Sequence, residues 1–290
     1  MSRERATGVP DSAVSALLSD VTFDLLPGEG FETAVSHLPE DARIAVVLTP
    51  ELGVWPTVEK TELVAGQGYD VVPHVAPRFI QDREELDEIA GRLREAGVTD
   101  VFVPGGDRDE PVGDLASAYE MLVALEELGY DFAEVGIAGY PTGHGSIDDA
   151  TIREAMDRKA PYATYVVTQL CFDGEAVLDW TERVRDRGVD LPVEVGIPGV
   201  MEYRRLMTLA RRWGIADPIR FVRKTAGFAS FARNLLDSGG RYRPDDMVRT
   251  LAPRRTDPHL DIRRLRLYTF NETSATEAWR HEWLDGERTL

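Results

Sequence analysis

The chain has 290 residues, 43% of them hydrophobic, and a formal net charge of −18. This length and apolar content are enough to bury a large core, which excludes a disordered or fibrous protein. The excess of acidic residues leaves no basic stripe for phosphates, so nucleic acid is not expected as a partner. No run approaches the roughly 18 apolar residues that cross a bilayer, so the sequence predicts no membrane span.

The charged residues are unusual in kind as well as in number. Lysine occurs only at Lys60, Lys159 and Lys224, and the rest of the 33 basic residues are arginines. A surface rich in carboxylates and poor in lysine is typical of halophilic proteins, because carboxylates retain water and salt screens their repulsion. The alternative is an acidic protein without that adaptation. The polar residues 1–12 contain no apolar signal core, which predicts a cytoplasmic protein whose residues 1–18 are frayed or form a short helix.

Short apolar runs alternate with helical patterns along the chain. The predicted strands are, in order, Val21–Leu26, Arg43–Leu48, Val71–Ala76, Asp100–Pro104, Glu134–Gly139, Thr164–Thr168, Pro192–Ile197 and Leu265–Phe270. Amphipathic helices lie between them, and each of the clearest ones is followed or ended by a glycine, which favours a helix stop. These helices are Asp82–Ala96, Asp114–Leu128, Asp173–Arg187 and Met201–Trp213.

This alternation predicts a parallel α/β fold. Eight strands, each but the last followed by a helix, favour a closed (β/α)8 barrel (a TIM barrel) forming a single domain over residues 1–290. The segment Gly214–Ile262 is long for one connection, which predicts extra helices before the last strand. An open doubly wound sheet is the alternative, but Gly28-Glu29-Gly30 lacks the third glycine of the dinucleotide-binding pattern.

The single cysteine and the histidines point away from metal or disulfide chemistry. Cys171 lies inside the apolar run Val166–Phe172, where a small core residue is expected rather than a nucleophile. The five histidines show no metal-ligand spacing, so no metal site is predicted.

Polar residues follow most of the predicted strands. In a barrel the reactive groups stand at the carboxyl ends of the strands, so these side chains would face one opening. Glycine-rich turns among them would let a ligand approach the backbone closely. The residues are Asp24, Thr49, His74, Gly105-Gly106-Asp107, Tyr140-Pro141, His144, Gln169, Gly196–Gly199 and Asn271-Glu272.

Several of these segments resemble one family. The runs Tyr165–Asp173 and Leu267–Asn271 are similar to the "ITQ-x-x-F-D" and "FYTLN" strands of the methylenetetrahydrofolate reductases, which are flavin-dependent (β/α)8 barrels. Shorter matches fall in the same order, and together the resemblance covers nearly the whole chain, from Phe23 to Glu272. The shorter matches are Pro73-His74, Gly106-Asp107, Tyr140-Pro141-x-x-His144 and Pro198–Met201.

The resemblance implies a reaction, a cofactor and site residues. It implies FAD, NADH or NADPH as electron donor, and a small folate substrate, 5,10-methylenetetrahydrofolate, reduced to 5-methyltetrahydrofolate. Asp24 and Asp107 match catalytic positions, whereas Gln169 and Asn271 match substrate-binding positions. The positions that match FAD contacts are Thr49, His74, Asp107, Tyr140, His144, Arg158 and Lys159.

Three departures from the family's pattern weaken the match. The family's general acid is a glutamate in a "F-E-F-F-P" setting, and here Asp24 stands in that setting with one methylene less reach. Gly105 replaces the arginine of "R-G-D", and Thr49-Pro50-Glu51 replaces "T-Y-G". The resemblance therefore leaves open a related one-carbon or pterin oxidoreductase and a non-catalytic folate-binding protein.

A non-redox barrel, such as an aldolase, is a further alternative. A Schiff-base enzyme needs a lysine at a strand end, and the lysines fall on predicted helices or loops. The sequence is silent on oligomeric state, so a homo-oligomer stays open.

Overall fold

The structure is a computed structural model that describes residues 11–212, 240–286 and 288. Within these residues, eight parallel strands form one sheet: β1 Val21–Leu25, β2 Arg43–Val46, β3 Asp70–Pro73, β4 Asp100–Val103, β5 Glu134–Gly139, β6 Tyr165–Thr168, β7 Val193–Pro198 and β10 Ile262–Tyr268. Their order in the sheet is β3-β2-β1-β10-β7-β6-β5-β4. The sheet closes on itself where His74 bridges Phe102, and the Val75 N–H donates to the Phe102 carbonyl at 2.9 Å.

Helices surround this barrel, and a small antiparallel pair, β8 Met201–Glu202 and β9 Arg241–Tyr242, lies beyond β7. In the described residues, no helix has the length and apolar character needed to cross a membrane. The helices are α1 Asp11–Ser19, α2 Phe31–Val35, α3 Trp55–Ala65, α4 Arg83–Glu95, α5 Ala118–Glu127, α6 Asp149–Lys159, α7 Gly174–Arg185, α8 Tyr203–Arg212, α9 Asp245–Leu251 and α10 Thr273–Leu284.

Side-chain caps set the starts of four helices that follow strands, namely α4, α5, α6 and α7. Asp82 accepts from the Glu85 N–H at 2.9 Å before α4, and Asp173 accepts from the Ala176 N–H at 3.1 Å before α7. Before α5, Ser117 and Glu120 form a reciprocal capping box. Because these caps occupy the otherwise unpaired N–H groups, the helices begin directly after them. The predicted start of α5 at Asp114 was therefore wrong by one turn.

The main core lies between the barrel wall and the helices. The apolar stripe of α4 (Leu86, Ile89, Ala90 and Leu93) is buried there, and Cys171 is buried in the same core, as predicted. A second, smaller apolar cluster fills the barrel interior, and it consists of Ala45, Val72, Phe102, Tyr165 and Val167.

The structure corrects other element boundaries. The last barrel strand begins at Ile262 rather than Leu265, because Arg263 and Arg264 are strand residues paired with Glu134 and Glu194. Residues 201–202 belong to β8, and α10 follows the last strand, where no helix was expected. Of the predicted extra helices, α9 is present, and residues 213–239 lie outside the described residues.

Candidate active site

A cavity of about 410 Å³ opens at the carboxyl ends of the barrel strands. Its walls come from strands β1, β4, β5, β6 and β10 and from segments that follow the strands, including those after β2 and β3. Among the predicted site residues, six line this cavity: Asp24, His74, Asp107, Tyr140, His144 and Gln169. The strand ends thus bring together polar groups that are up to 145 positions apart in the sequence.

Asp24 lies at the cavity floor and is 2% exposed. Its carboxylate accepts two hydrogen bonds from Arg266, from Nε to Oδ1 at 2.9 Å and from Nη2 to Oδ2 at 3.4 Å. Burial raises the pKa of Asp24 to about 6, against the opposing effect of Arg266, and the nearby Glu194 raises it further. Asp24 is therefore a carboxyl group that can exchange a proton near neutral pH.

His74 is a neutral imidazole beside this carboxylate. Its Nε2 lies 2.9 Å from Nη2 of Arg266 and 3.6 Å from Oδ2 of Asp24. Because an arginine can only donate, Nε2 accepts this hydrogen bond and the ring proton resides on Nδ1. Burial and the charge of Arg266 hold the pKa of His74 well below its usual range.

Asp107, Tyr140 and His144 form the opposite rim. Asp107 stands at the open edge, yet the cavity walls around its carboxyl group desolvate it and raise its pKa, while His144 acts in the other direction. Burial, and then the charge of Asp107, raise the pKa of Tyr140 to about 12. The rings of Tyr140 and His144 meet edge to face, with centroids 5.3 Å apart. The rim thus presents one carboxylate and an uncharged phenol.

Gln169 is held in one orientation by the loop after β5. Its Nε2 donates to Thr142 Oγ1 at 2.5 Å and to the Gly143 carbonyl at 3.1 Å. Both amide hydrogens are thereby occupied, so Oε1 is the atom left to accept a hydrogen bond from a ligand. The site therefore suits a ligand that presents an N–H group at this position.

Gly106 lets the chain turn beside the cavity. Its φ of +96° is a conformation that other residues rarely adopt. A Cβ at this position would also lie 3.2 Å from Ala76 Cβ and 3.3 Å from the Phe79 ring. At Gly105, by contrast, a Cβ would meet nothing within 4 Å, so the missing arginine of the family's pattern leaves open space.

Four predicted site residues do not line the cavity. Thr49 forms a turn in which its carbonyl accepts from the N–H groups of Leu52 and Gly53. Asn271 joins β1 to the end of β10, because its Oδ1 accepts from the Leu26 N–H at 2.9 Å and its Nδ2 donates to the Leu26 carbonyl at 3.1 Å. Asn271 is therefore part of the barrel wall and not of the cavity lining.

The basic pair at the end of α6 lies away from the cavity lining as well. The exposed Arg158 stacks on Tyr119, with its guanidinium carbon 4.1 Å from the ring centroid. Lys159 is buried, and burial lowers its pKa to about 8. Within the part of the chain that the structure describes, no carboxylate forms an ion pair with Lys159.

Sequence reasoning missed three residues of the site. Arg266 underlies the floor, Tyr268 lines the cavity and donates to the Thr168 carbonyl at 3.3 Å, and Thr142 orients Gln169. A signal for the first two was present: Arg264, Arg266 and Tyr268 alternate with leucines, so they share the inward face of a buried strand.

Comparison with known proteins identifies a family. The model of the family described as methylenetetrahydrofolate reductase matches residues 61–281. Methylenetetrahydrofolate reductase 1 of Schizosaccharomyces pombe is 26% identical over 48% of this chain and 24% of its own length. The 5,10-methylenetetrahydrofolate reductase of Pectobacterium carotovorum is 28% identical over 52% of this chain and 51% of its own length.

These alignments cover about half of this chain and between a quarter and a half of the curated relatives. A solved structure of 2,3-dimethylmalate lyase aligns with a TM-score of 0.44 and 10% identity over 79% of this chain and 85% of that one. That similarity is too distant to inform on chemistry.

Proposed function

Since the chain belongs to the methylenetetrahydrofolate reductase family, we propose that it reduces 5,10-methylenetetrahydrofolate to 5-methyltetrahydrofolate with a bound FAD and a nicotinamide electron donor. One observation carries the proposal: Asp24, Asp107 and Gln169, which come from three different strand ends, line the same cavity. In barrel enzymes the reaction takes place at the carboxyl ends of the strands, where such polar groups converge.

The residues present suit the ring system of a flavin. Apolar side chains cover the inner wall, and Gly106 turns where a Cβ would crowd that wall. Lys159 lies outside the cavity lining, and its buried ammonium forms no ion pair with a carboxylate among the described residues. A phosphate group of the cofactor that reached it would supply an anionic partner. A bound flavin would take a hydride from the nicotinamide and pass it to the folate. The apolar wall is formed by Ala76, Phe79, Phe102, Ala138 and Val167.

Three side chains of this chain have roles in that reaction. Asp24 delivers a proton to the nitrogen that is released when the imidazolidine ring opens, which requires the carboxyl group to be protonated. Asp107 holds a negative charge at the rim, which disfavours additional negative charge on a ring system bound beside it. Gln169 offers Oε1 to an N–H group of the pterin, because Thr142 and Gly143 hold its amide hydrogens.

The test is an anaerobic half-reaction experiment on the purified protein. We expect a yellow protein, or one that turns yellow on adding FAD, that is bleached by NADH or NADPH and regains its colour with 5,10-methylenetetrahydrofolate. A protein that refuses FAD and does not turn over folate would overturn the proposal. Reoxidation by a different pterin, with no response to methylenetetrahydrofolate, would instead identify a related pterin oxidoreductase.

A further inference from the structure

The guanidinium of Arg266 joins side chains from three other parts of the barrel. Arg266 is 0% exposed and lies on β10 two residues before Tyr268, the residue in register with Asp24. It therefore lies one inward layer below Asp24 and does not line the cavity. An arginine this deeply buried needs compensating partners, since an unpaired charge in the interior is costly.

The donors of Arg266 are distributed in a fixed pattern. Nε and Nη2 contact the two oxygens of Asp24, Nη2 also donates to Nε2 of His74, and Nη1 donates to Oε2 of Glu194 at 3.3 Å. The guanidinium is planar and rigid, so this fork determines the plane of the Asp24 carboxylate. Each oxygen of Asp24 keeps a further lone pair for a group in the cavity.

We propose that Arg266 is a positioning residue for Asp24: it sets the orientation of the carboxyl group toward the cavity and the pH at which that group carries a proton. The consequence for turnover rests on the proposed function, whereas the consequence for protonation rests on the geometry alone. Aspartate has a shorter reach than the glutamate of the family's pattern, so its carboxyl group is harder to align with a ligand. Fixing the plane of that carboxyl group limits this disadvantage.

The groups around Asp24 define the direction of the effect. Arg266 is the cation in contact with it, Glu194 is a second carboxylate on the same guanidinium, and His74 is neutral. On the two strands beside β1, the residues in register with Asp24 are Tyr268 of β10 and the uncharged Ala45 of β2. Removing Arg266 therefore leaves Asp24 without the cation that contacts it, whereas Glu194 keeps its ion pair with Arg264. The Asp24 carboxyl group then holds its proton more tightly.

The direct test is an infrared titration of the Asp24 carboxyl group, identified as the protonated band that Asp24→Asn abolishes. In Arg266→Met we expect its midpoint to rise by about one to three pH units, the usual effect of losing an adjacent opposite charge. In Arg266→Lys, which keeps the charge but not the fork, we expect a midpoint shift below about one unit. A midpoint that does not move in Arg266→Met overturns the proposal.

Kinetics supply the second measurement. A proton donor works only in its protonated form. The pH at which the rate falls should therefore be higher in Arg266→Met, by the same amount as the infrared midpoint. Arg266→Lys should lower kcat for the folate half-reaction by about tenfold or more with a smaller change in KM, since orientation is lost. An unchanged kcat in Arg266→Lys overturns the positioning role. If the wild-type protein does not act on folate, the infrared result still stands on its own, which separates the two proposals.

Arg185→Met is the matched control. Arg185 is also a buried arginine, but its guanidinium donates to the carbonyls of Val189, His259 and Leu260, away from the cavity. We expect it to lower stability and to leave the Asp24 midpoint in place. Should Arg266→Met fail to fold, Arg266→Met with Glu194→Gln removes one cation and one anion together, and its midpoint is compared with that of Glu194→Gln alone. A rise confirms the role of Arg266, and no rise refutes it.

Discussion

Two side chains, the buried Asp24 and the half-buried Gln169, are held in the cavity by hydrogen-bond partners that fix their orientation. Asp24 receives both its hydrogen bonds from Arg266, and Gln169 gives both its amide hydrogens to the loop after β5. The first arrangement presents a carboxyl group to the ligand, and the second presents a hydrogen-bond acceptor. We therefore expect substitutions that affect Asp24 and Gln169 to have different effects.

Asp24→Asn should remove the proton donor while keeping a polar side chain of the same size. We expect flavin reduction by the nicotinamide to persist and the folate half-reaction to slow by about 10² to 10⁴-fold. In the unchanged enzyme the rate of that half-reaction should fall as pH rises above about 6, since Asp24 then loses its proton. Rapid-mixing kinetics across pH check both, and a folate step of normal rate in Asp24→Asn would contradict the assignment.

Thr142→Val should release one hydrogen of the Gln169 amide while preserving the volume of the side chain. Because the amide can then rotate and present Nε2 in place of Oε1, we expect KM for the folate substrate to rise by about threefold to tenfold, the equivalent of one hydrogen bond. Thr151→Val, on the outer helix α6, removes a hydroxyl bonded to Asp148 and serves as the control. Equal KM values in the two variants would exclude the orienting role of Thr142.

At the scale of elements, glycines in β5 make room for large side chains from neighbouring elements. A Cβ at Gly136 would lie 2.5 Å from Cζ of Tyr165, and one at Gly139 would lie 2.6 Å from the Trp180 ring. Tyr165 is fully buried, and its hydroxyl donates to Asp100 at 2.8 Å. The ring of Tyr165 thus packs in the barrel interior against β5 at Gly136, where β5 has no side chain.

Gly136→Ala should displace this ring and strain its hydrogen bond to Asp100. We expect a loss of about 2 kcal/mol in the free energy of unfolding, the usual result of overpacking a rigid core. Gly105→Ala is the control, because a Cβ there meets nothing within 4 Å, and its effect should stay within about 0.5 kcal/mol. Urea unfolding followed by circular dichroism measures both, and equal losses would contradict this account of the barrel interior.

For the whole molecule, the dominant feature is its charge. With 51 acidic and 33 basic residues, long-range repulsion between carboxylates opposes folding at low salt. Exposed ion pairs such as Arg83–Glu127 contribute little, so their loss at high salt is outweighed by the relief of repulsion.

Stability should therefore rise with salt. We expect the melting temperature at pH 7.5 to increase between about 0.1 M and 2 M KCl, since the screening length falls from about 10 Å to below 3 Å. Near pH 5, close to the sequence pI of about 4.7, the net charge is small and the increase should shrink. A melting temperature that falls with KCl at pH 7.5 would contradict the interpretation of a salt-adapted surface.

The sequence by itself determined the alternation of strands and helices, and with it the barrel. Hydrophobic periodicity and capping residues such as Asp82 and Asp173 are local signals, so they can be recognised without knowing the contacts of the folded chain. Because the carboxyl ends of barrel strands meet at one opening, the sequence also predicted that Asp24, Asp107 and Gln169 would converge.

Only the tertiary structure decided which charges meet. Arg263 and Arg264 are strand residues because Glu134 and Glu194, on other strands, neutralise them. Asn271 binds the backbone of Leu26, directly after β1, and Arg266 contacts Asp24 across 242 positions of sequence. Ion pairs between distant residues depend on register and barrel closure, and no local pattern encodes those distances. For that reason the sequence could place Asp24 at a strand end and Arg266 on the inward face of a strand, whereas it could not show that the two side chains pair.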